Sequence, residues 1–210
     1  GQELLRDEGW PWGSPTSTWA VNDVWPDGHE LTLPADTGPG FYALEVSFYD
    51  PANFDPLGEP AIIDYLVVTD PQADVPGPAQ ARWGDAIDLL QVGLAGEPAP
   101  GAILPVDLTW QTQRPLETDY TVFIHLLNAN GAVVAQSDSP PLRGFLPTTV
   151  WPPRQPVADR SELMLPAGLA PGTYRVVAGL YDPLDGTRLP VAQNGAPAGD
   201  ALTVATFEIQ

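Results

Sequence analysis

The sequence predicts an all-β protein: an antiparallel immunoglobulin-like β-sandwich of about one and a half tandem repeat units. Three observations carry this. Apolar and polar residues alternate with period two over several short runs. Between those runs stand 26 Pro and 20 Gly, the turn punctuation of an all-β chain. No stretch keeps a helical period for more than about two turns, and Pro at 11, 15, 26, 34, 39, 51, 56, 60, 71, 76 and 78 breaks any long helix in the first third.

The repeat sets the organisation. Residues 16–51 match residues 148–183 at an offset of 132 without a gap, and from Pro15 and Pro147 onward 15 of 37 positions are identical. Trp19/Trp151, Asp27/Asp159, Leu31/Leu163, Leu33/Leu165, Pro39-Gly40/Pro171-Gly172, Tyr42/Tyr174 and the Tyr-Asp-Pro triplets ending at Pro51 and Pro183 are among them. The match extends to Asp64 and Asp200 after an apparent four-residue insertion, and backward from Gly1–Leu5 to Gly131–Ala135 at an offset of 130. The expected organisation is residues 1–70 as the C-terminal half of a first sandwich unit, 71–78 as a Pro-rich linker, and 79–210 as a complete second unit. The first unit is expected to lack a counterpart of residues 79–130. A chain that opens on Gly without a signal-peptide pattern is expected to be a piece of a longer protein.

Within the complete unit, residues 87–94 read as a strand. In residues 103–110, Leu104, Val106, Leu108 and Trp110 share a face, as do Tyr120, Val122, Ile124 and Leu126 in residues 120–127. Asn128-Ala129-Asn130-Gly131 is a hairpin turn from which Ala132–Gln136 returns. Leu163 and Leu165 precede Pro166; Tyr174, Val176, Ala178 and Leu180 line one face of the next strand; Asp185-Gly186 turns the chain; and Leu202–Ile209 closes the unit. Eight or nine such strands in about 130 residues suit two packed antiparallel layers. The first copy offers Tyr42, Leu44, Val46 and Phe48 as the equivalent inward face. Tyr42 and Tyr174 each follow a Pro-Gly turn, the setting of a tyrosine corner whose hydroxyl returns to upstream backbone, and both rings are expected in the core.

Charge and composition remove several function classes. Eight basic residues, all Arg, stand against 27 acidic ones, a net charge of −19 that repels nucleic acid and anionic lipid. Without cysteine there are no disulfides, thiolate metal sites or cysteine nucleophiles. Only His29 and His125 are available as imidazoles, no apolar run approaches the roughly 20 residues of a membrane helix, and no cofactor or metal is expected.

The segments DYTVFIHLLNANG (119–131), PTTVW (147–151) and GTYRVVAGLYDPLDGTRLPV (172–191) resemble uncharacterised β-sandwich regions that follow membrane glycosyltransferase-like proteins of Chloroflexi-type bacteria. The resemblance covers nearly all of residues 79–210 and the matching half in 1–70. It implies an extracytoplasmic or cell-surface, non-catalytic module anchored by other regions, with an adjacent membrane enzyme as its neighbour.

Candidate chemistry is sparse. Asp182 with Asp185, and Asp50 with Asp55, flank turns; calcium needs about six to eight oxygens, whereas capping of turn N–H groups needs only one carboxylate. No carboxylate pair is singled out for glycoside hydrolysis and no Gly-x-Ser-x-Gly elbow occurs. His125 reads as an inter-sheet or surface residue beside Phe123, and His29 as an exposed turn residue. Among seven Trp, Trp110 reads as core, and Trp19 and Trp151 as a shared packing position. Trp10, Trp12 and Trp25 have no Trp counterpart in the second unit and lie in Pro-rich stretches, so they are the candidate ligand-binding residues, a platform on which sugar rings stack. The alternative for these three is packing against the missing half unit. The same missing half predicts self-association through residues 1–70.

Overall fold

The computed structural model describes residues 3–13, 15–24, 26–68 and 77–210, with the backbone alone at Trp12. The strands are β1 (Gly40–Val46), β2 (Ala61–Val68), β3 (Ala81–Trp83), β4 (Ile87–Leu94), β5 (Ile103–Thr112), β6 (Thr121–Leu127), β7 (Val133–Ser139), β8 (Val157–Met164), β9 (Gly172–Tyr181), β10 (Val191–Gln193), β11 (Ala196–Pro197) and β12 (Leu202–Ile209). Among the described residues there is no α-helix, only short 3-10 turns. The residues group into two compact units: residues 3–40 with Val68, and Phe41–Val67 with residues 77–210.

The second unit holds an antiparallel β-sandwich. One layer has the order β11-β10-β3-β4-β5-β8 and the other β12-β9-β6-β7. From β5 the chain crosses to the other layer as β6 and hairpins into β7. It then returns as β8 beside β5 and crosses again to β9 beside β6. This is the Greek-key route of immunoglobulin-like sandwiches.

The alternation read from the sequence is the burial pattern. Along β5, Leu104, Val106, Leu108 and Trp110 are at most 1% exposed, while Pro105, Asp107, Thr109 and Gln111 are half-buried and Ile103 is exposed. From the facing layer, Val122, Ile124, Leu126, Val176, Ala178 and Leu180 are all fully buried. Trp83 and Trp110 meet edge to face with ring centroids 5.3 Å apart, an arrangement that suits the indole quadrupoles. The Tyr174 ring is buried and its Oη donates to the Ala170 carbonyl at 2.9 Å, so the tyrosine corner is present. At the expected hairpin, Asn128 Oδ1 accepts the Asn130 and Ala132 N–H groups and Gly131 takes φ +79°.

The outer face of the β6–β9 layer is covered as well. Phe123 is 1% exposed and lies across Gly179. A Cβ on Gly179 would stand 2.3 Å from Phe123 Cζ and 2.8 Å from the Asp200 carbonyl. Arg188 caps the Phe123 ring at 4.2 Å, a cation–π contact.

Local geometry recurs at the offset of 132. Thr16–Thr18 and Thr148–Val150 form equivalent 3-10 turns, each preceded by an extended Pro and followed by an extended Trp. Asn22 and Arg154 both take positive φ, 72° and 65°. Thr37 N–H bonds Pro34 O as Leu169 N–H bonds Pro166 O. Asp50 N–H bonds Asp55 O as Asp182 N–H bonds Thr187 O, and the bridge Tyr49–Pro56 repeats as Tyr181–Arg188.

Three expectations need correction. Tyr42 is only half-buried, unlike Tyr174; among the described residues its strand pairs with β2 alone, in a two-stranded sheet. The insertion in the second copy is larger than four residues. β2 pairs beside β1 as β12 pairs beside β9, which places Ala61 opposite Leu202 in the repeat, and the extra length is the β10–β11 hairpin. Its two-residue turn, Asn194-Gly195, has φ values of 51° and 78°, the left-handed pair that Asn-Gly favours. Finally, residues 26–34 form no strand, although their counterparts 158–166 include most of β8.

Two substitutions test this packing. Gly179→Ala is expected to cost about 1–3 kcal/mol by overpacking against Phe123. Tyr174→Ala is expected to cost about 3 kcal/mol and Tyr174→Phe about 1 kcal/mol, the corner hydrogen bond alone. Urea denaturation reads all three; values within half a kcal/mol of the parent would remove the assigned packing.

Candidate functional site

Of the three candidate Trp residues, Trp10 is described in full. It is 58% exposed, and its carbonyl accepts the Gly13 N–H at 2.7 Å across the turn Pro11–Gly13. The side chain of Trp12, and Trp25 altogether, lie outside the described residues. Trp110 and Trp151 are core, and the Trp151 indole N–H donates to Leu146 O at 3.0 Å. Trp19 is half-buried at the equivalent position of the first copy.

The turn carboxylates hold backbone. Asp182 Oδ1 accepts Leu184 N–H at 2.9 Å and Asp185 Oδ1 accepts Thr187 N–H at 2.7 Å. These bonds to Thr187 hold the Asp185 carboxyl below its usual pKa. In the first copy, Asp50 Oδ1 accepts Ala52 N–H at 2.8 Å, and Asp55 Oδ2 accepts the Asn53 side-chain amide at 2.6 Å. Among the described residues no three His, Asp or Glu side chains converge as a metal site.

Both histidines face carboxylates. His125 is 8% exposed on the outer face of β6, its ring tilted 42° against Phe123 at 4.8 Å between centroids, with Nε2 3.3 Å from Asp138 Oδ1. His29 is exposed between Asp7 and Asp27, with Nδ1 2.7 Å from Asp7 Oδ2 and Nε2 2.8 Å from Asp27 Oδ2. Hydrogen bonds to Asp7 and then Asp27 raise the His29 pKa.

Two buried carboxylates were not singled out by sequence. Asp88 is 2% exposed on β4. It receives Arg82 Nε and Nη2 at 2.6 and 2.9 Å and the Gln113 amide at 2.7 Å, a bidentate pair with its remaining lone pairs engaged. Asp159 is 6% exposed on the inward face of β8, where the alternation calls for an apolar residue between Val157 and Leu163. Its Oδ1 accepts the Leu142 N–H at 2.9 Å. Leu142 and Arg143 take φ of 51° and 57°, so this carboxylate pins a left-handed turn. Burial pushes the Asp159 pKa up, while the backbone N–H groups of Leu142 and Arg160 pull it the other way. For Asp159 the signal was a charged residue at an inward position of an alternating strand; Asp88 lies on the outer face of β4 between the inward Ile87 and Leu89, and its partner Arg82 six residues earlier was the signal.

Among the described residues the depressions are shallow. One, of about 160 Å³, lies between Trp83, Tyr120, Glu117 and the Asp85–Arg114 pair, which is 2.7 Å apart. The other, of about 250 Å³, lies among Ser137, Ser139 and Ser161, with Arg143 bonded to Glu162 at 3.3 Å. Both fall below the roughly 300 Å³ at which small-molecule pockets begin.

No protein-family model and no curated protein matches the chain. Among solved structures, a beta-glucuronidase from glycoside hydrolase family 2 is similar at 15% identity over 56% of this chain, with a TM-score of 0.34. The match spans a tenth of that protein's length.

Asp159 separates charge from hydrogen bonding. Its folded pKa lies above the unfolded value, so the folded state holds the proton more tightly, and stability falls as pH rises from the ordinary carboxyl range through the raised pKa. Asp159→Asn keeps an oxygen for Leu142 and is expected to gain on the parent as pH rises from 3 to 7. Asp159→Ala loses the acceptor and is expected to cost about 1–3 kcal/mol. Denaturation midpoints across that pH range check both; a pH-independent difference for the Asn variant would refute the buried charge.

Proposed function

We propose that this chain is a non-catalytic structural and interaction module, displayed on the extracytoplasmic side of a larger bacterial membrane-associated protein. The observation that carries the reading is where the reactive side chains are spent. Asp50, Asp55, Asp182 and Asp185 close turns, Asp88 is locked to Arg82 and Gln113, and Asp159 pins the Leu142 turn. What these side chains hold is geometry. The extracytoplasmic placement rests on the resemblance of residues 79–210 to regions that follow membrane glycosyltransferase-like proteins. Among the described residues no helix is long and apolar enough to cross a membrane. A parent protein tagged after Gln210 is expected to lose the tag when intact cells meet external protease. Protection until lysis would overturn the placement.

A second reading is carbohydrate binding, in which the module presents glycan to the adjacent membrane enzyme. It is favoured by Trp10, an indole 58% exposed beside Pro11. The indole face offers the apolar surface on which sugar C–H groups stack. Calorimetry against an oligosaccharide panel is expected to give weak, chelator-insensitive binding that falls about tenfold in Trp10→Ala. Binding untouched by Trp10→Ala, or abolished by chelator, would end this reading.

A further inference from the structure

We infer that the depression beside Asp85, at one end of the complete sandwich, is a binding site for one neutral, hydroxylated ring, a single sugar residue. It lies where the turn between β3 and β4 meets residues 113–120, and it measures about 160 Å³. All its residues belong to the second compact unit, and none is shared with the Trp10 reading. A monosaccharide is smaller than the drug-sized ligands for which the lower bound of about 300 Å³ holds.

One buried group calls for a ligand. Trp83 is fully buried and lines the depression, and among the described residues its indole N–H has no acceptor. Buried donors are nearly always paired, because an unanswered one has lost its water without compensation. Glu117, also lining the depression, is exposed and has no hydrogen-bond or ion-pair partner among the described residues. Asp85 and Arg114 meet at 2.7 Å, so their charges cancel. Tyr120 and Leu189, both half-buried, supply apolar surface.

The walls are held in place by backbone. Gly84 N–H bonds Pro190 O and Gln113 N–H bonds Ala86 O, both at 2.8 Å, which fixes the β3–β4 turn from two sides. Thr148 Oγ1 accepts the Tyr120 N–H at 2.9 Å and donates to Thr118 O at 2.7 Å, which fixes the other wall. A preformed site loses little binding free energy to ordering.

The donors and acceptors select the ligand class. An ammonium ion offers donors only and leaves the Trp83 N–H unanswered. An anion offers acceptors only and faces Glu117 in a chain of net charge −19. A hydroxyl is donor and acceptor at once. On a sugar ring one hydroxyl accepts from the indole, another donates to Glu117, and the C–H groups pack on Tyr120 and Leu189.

The test titrates the full chain with D-glucose, D-galactose and D-mannose and follows the indole N–H resonance of Trp83, assigned through its contacts with the Trp110 ring. At least one sugar is expected to move that resonance and to saturate it at millimolar concentration. Affinity is expected to fall about tenfold in Glu117→Ala, which removes a charged acceptor at an exposed position. It is expected to stay unchanged in Trp10→Ala, which separates this site from the Trp10 platform. A resonance unmoved by all three sugars overturns the proposal. So does one that ethylammonium or inorganic phosphate moves and the sugars do not, since the occupant is then charged. A sugar response indifferent to Glu117→Ala, or abolished by Trp10→Ala, overturns it as well.

Discussion

A β-sheet face rich in Val, Leu and Phe is stable only when a second layer removes it from water, and among the described residues a second layer covers one of the two copies. Everything else in the structure follows from that asymmetry. In residues 79–210 the β4–β5–β8 strands lie over β6 and β9, and the inward side chains of both layers reach essentially zero exposure. At roughly 25 cal/mol per Å², each fully covered Leu or Val contributes about 1.5–3 kcal/mol. The same positions in the first copy, half-covered, return only part of this.

The two copies form a controlled comparison of local and non-local encoding. Features that depend on a few adjacent residues persist in both: the Pro-Thr turns before Trp19 and Trp151, the positive φ at Asn22 and Arg154, and the carboxylate-capped turns after Tyr49 and Tyr181. Features that depend on a partner do not persist. Residues 157–164 are a strand because β5 pairs with them over their whole length; residues 26–34 carry the same Leu-x-Leu pattern and form none. Thr148 is fully buried, accepting the Tyr120 N–H at 2.9 Å and donating to Thr118 O at 2.7 Å, while Thr16 is exposed. Strand propensity here behaves as fitness for a pleated, half-buried surface, expressed only when that surface exists.

This explains what was readable in the sequence. Period-two alternation located β5, β6 and β9 and their inward faces, and the Pro-Gly-x-Tyr spacing located the corner hydrogen bond of Tyr174. The short strands β3, β10 and β11 have too few residues to show a period. The site was harder. Exposed Trp10 was readable as an unmatched aromatic in a Pro-rich stretch, but Asp88 and Asp159 were not. Their significance lies in burial and in what receives their oxygens, and a strand pattern records neither. Gly179 is similar: its need for no side chain comes from Phe123, 56 positions earlier in the chain, lying across it.

Asp159 shows how the two levels meet. A carboxylate at an inward strand position opposes burial, which favours its neutral form. It is retained where the chain must take two successive left-handed residues, Leu142 and Arg143, whose strain is of order 1–3 kcal/mol each. A hydrogen bond from the Leu142 N–H to a charged acceptor, about 1.5–3 kcal/mol, offsets a strain of that size. Its counterpart Asp27 lies outside such a core, turned to His29 at 2.8 Å. The same residue at the same repeat position therefore organises a buried turn in one copy and an exposed hydrogen bond to a histidine in the other. Among the described residues an opposing layer covers the first setting and not the second, so the same carboxylate takes its partner from whatever its surroundings bring within reach.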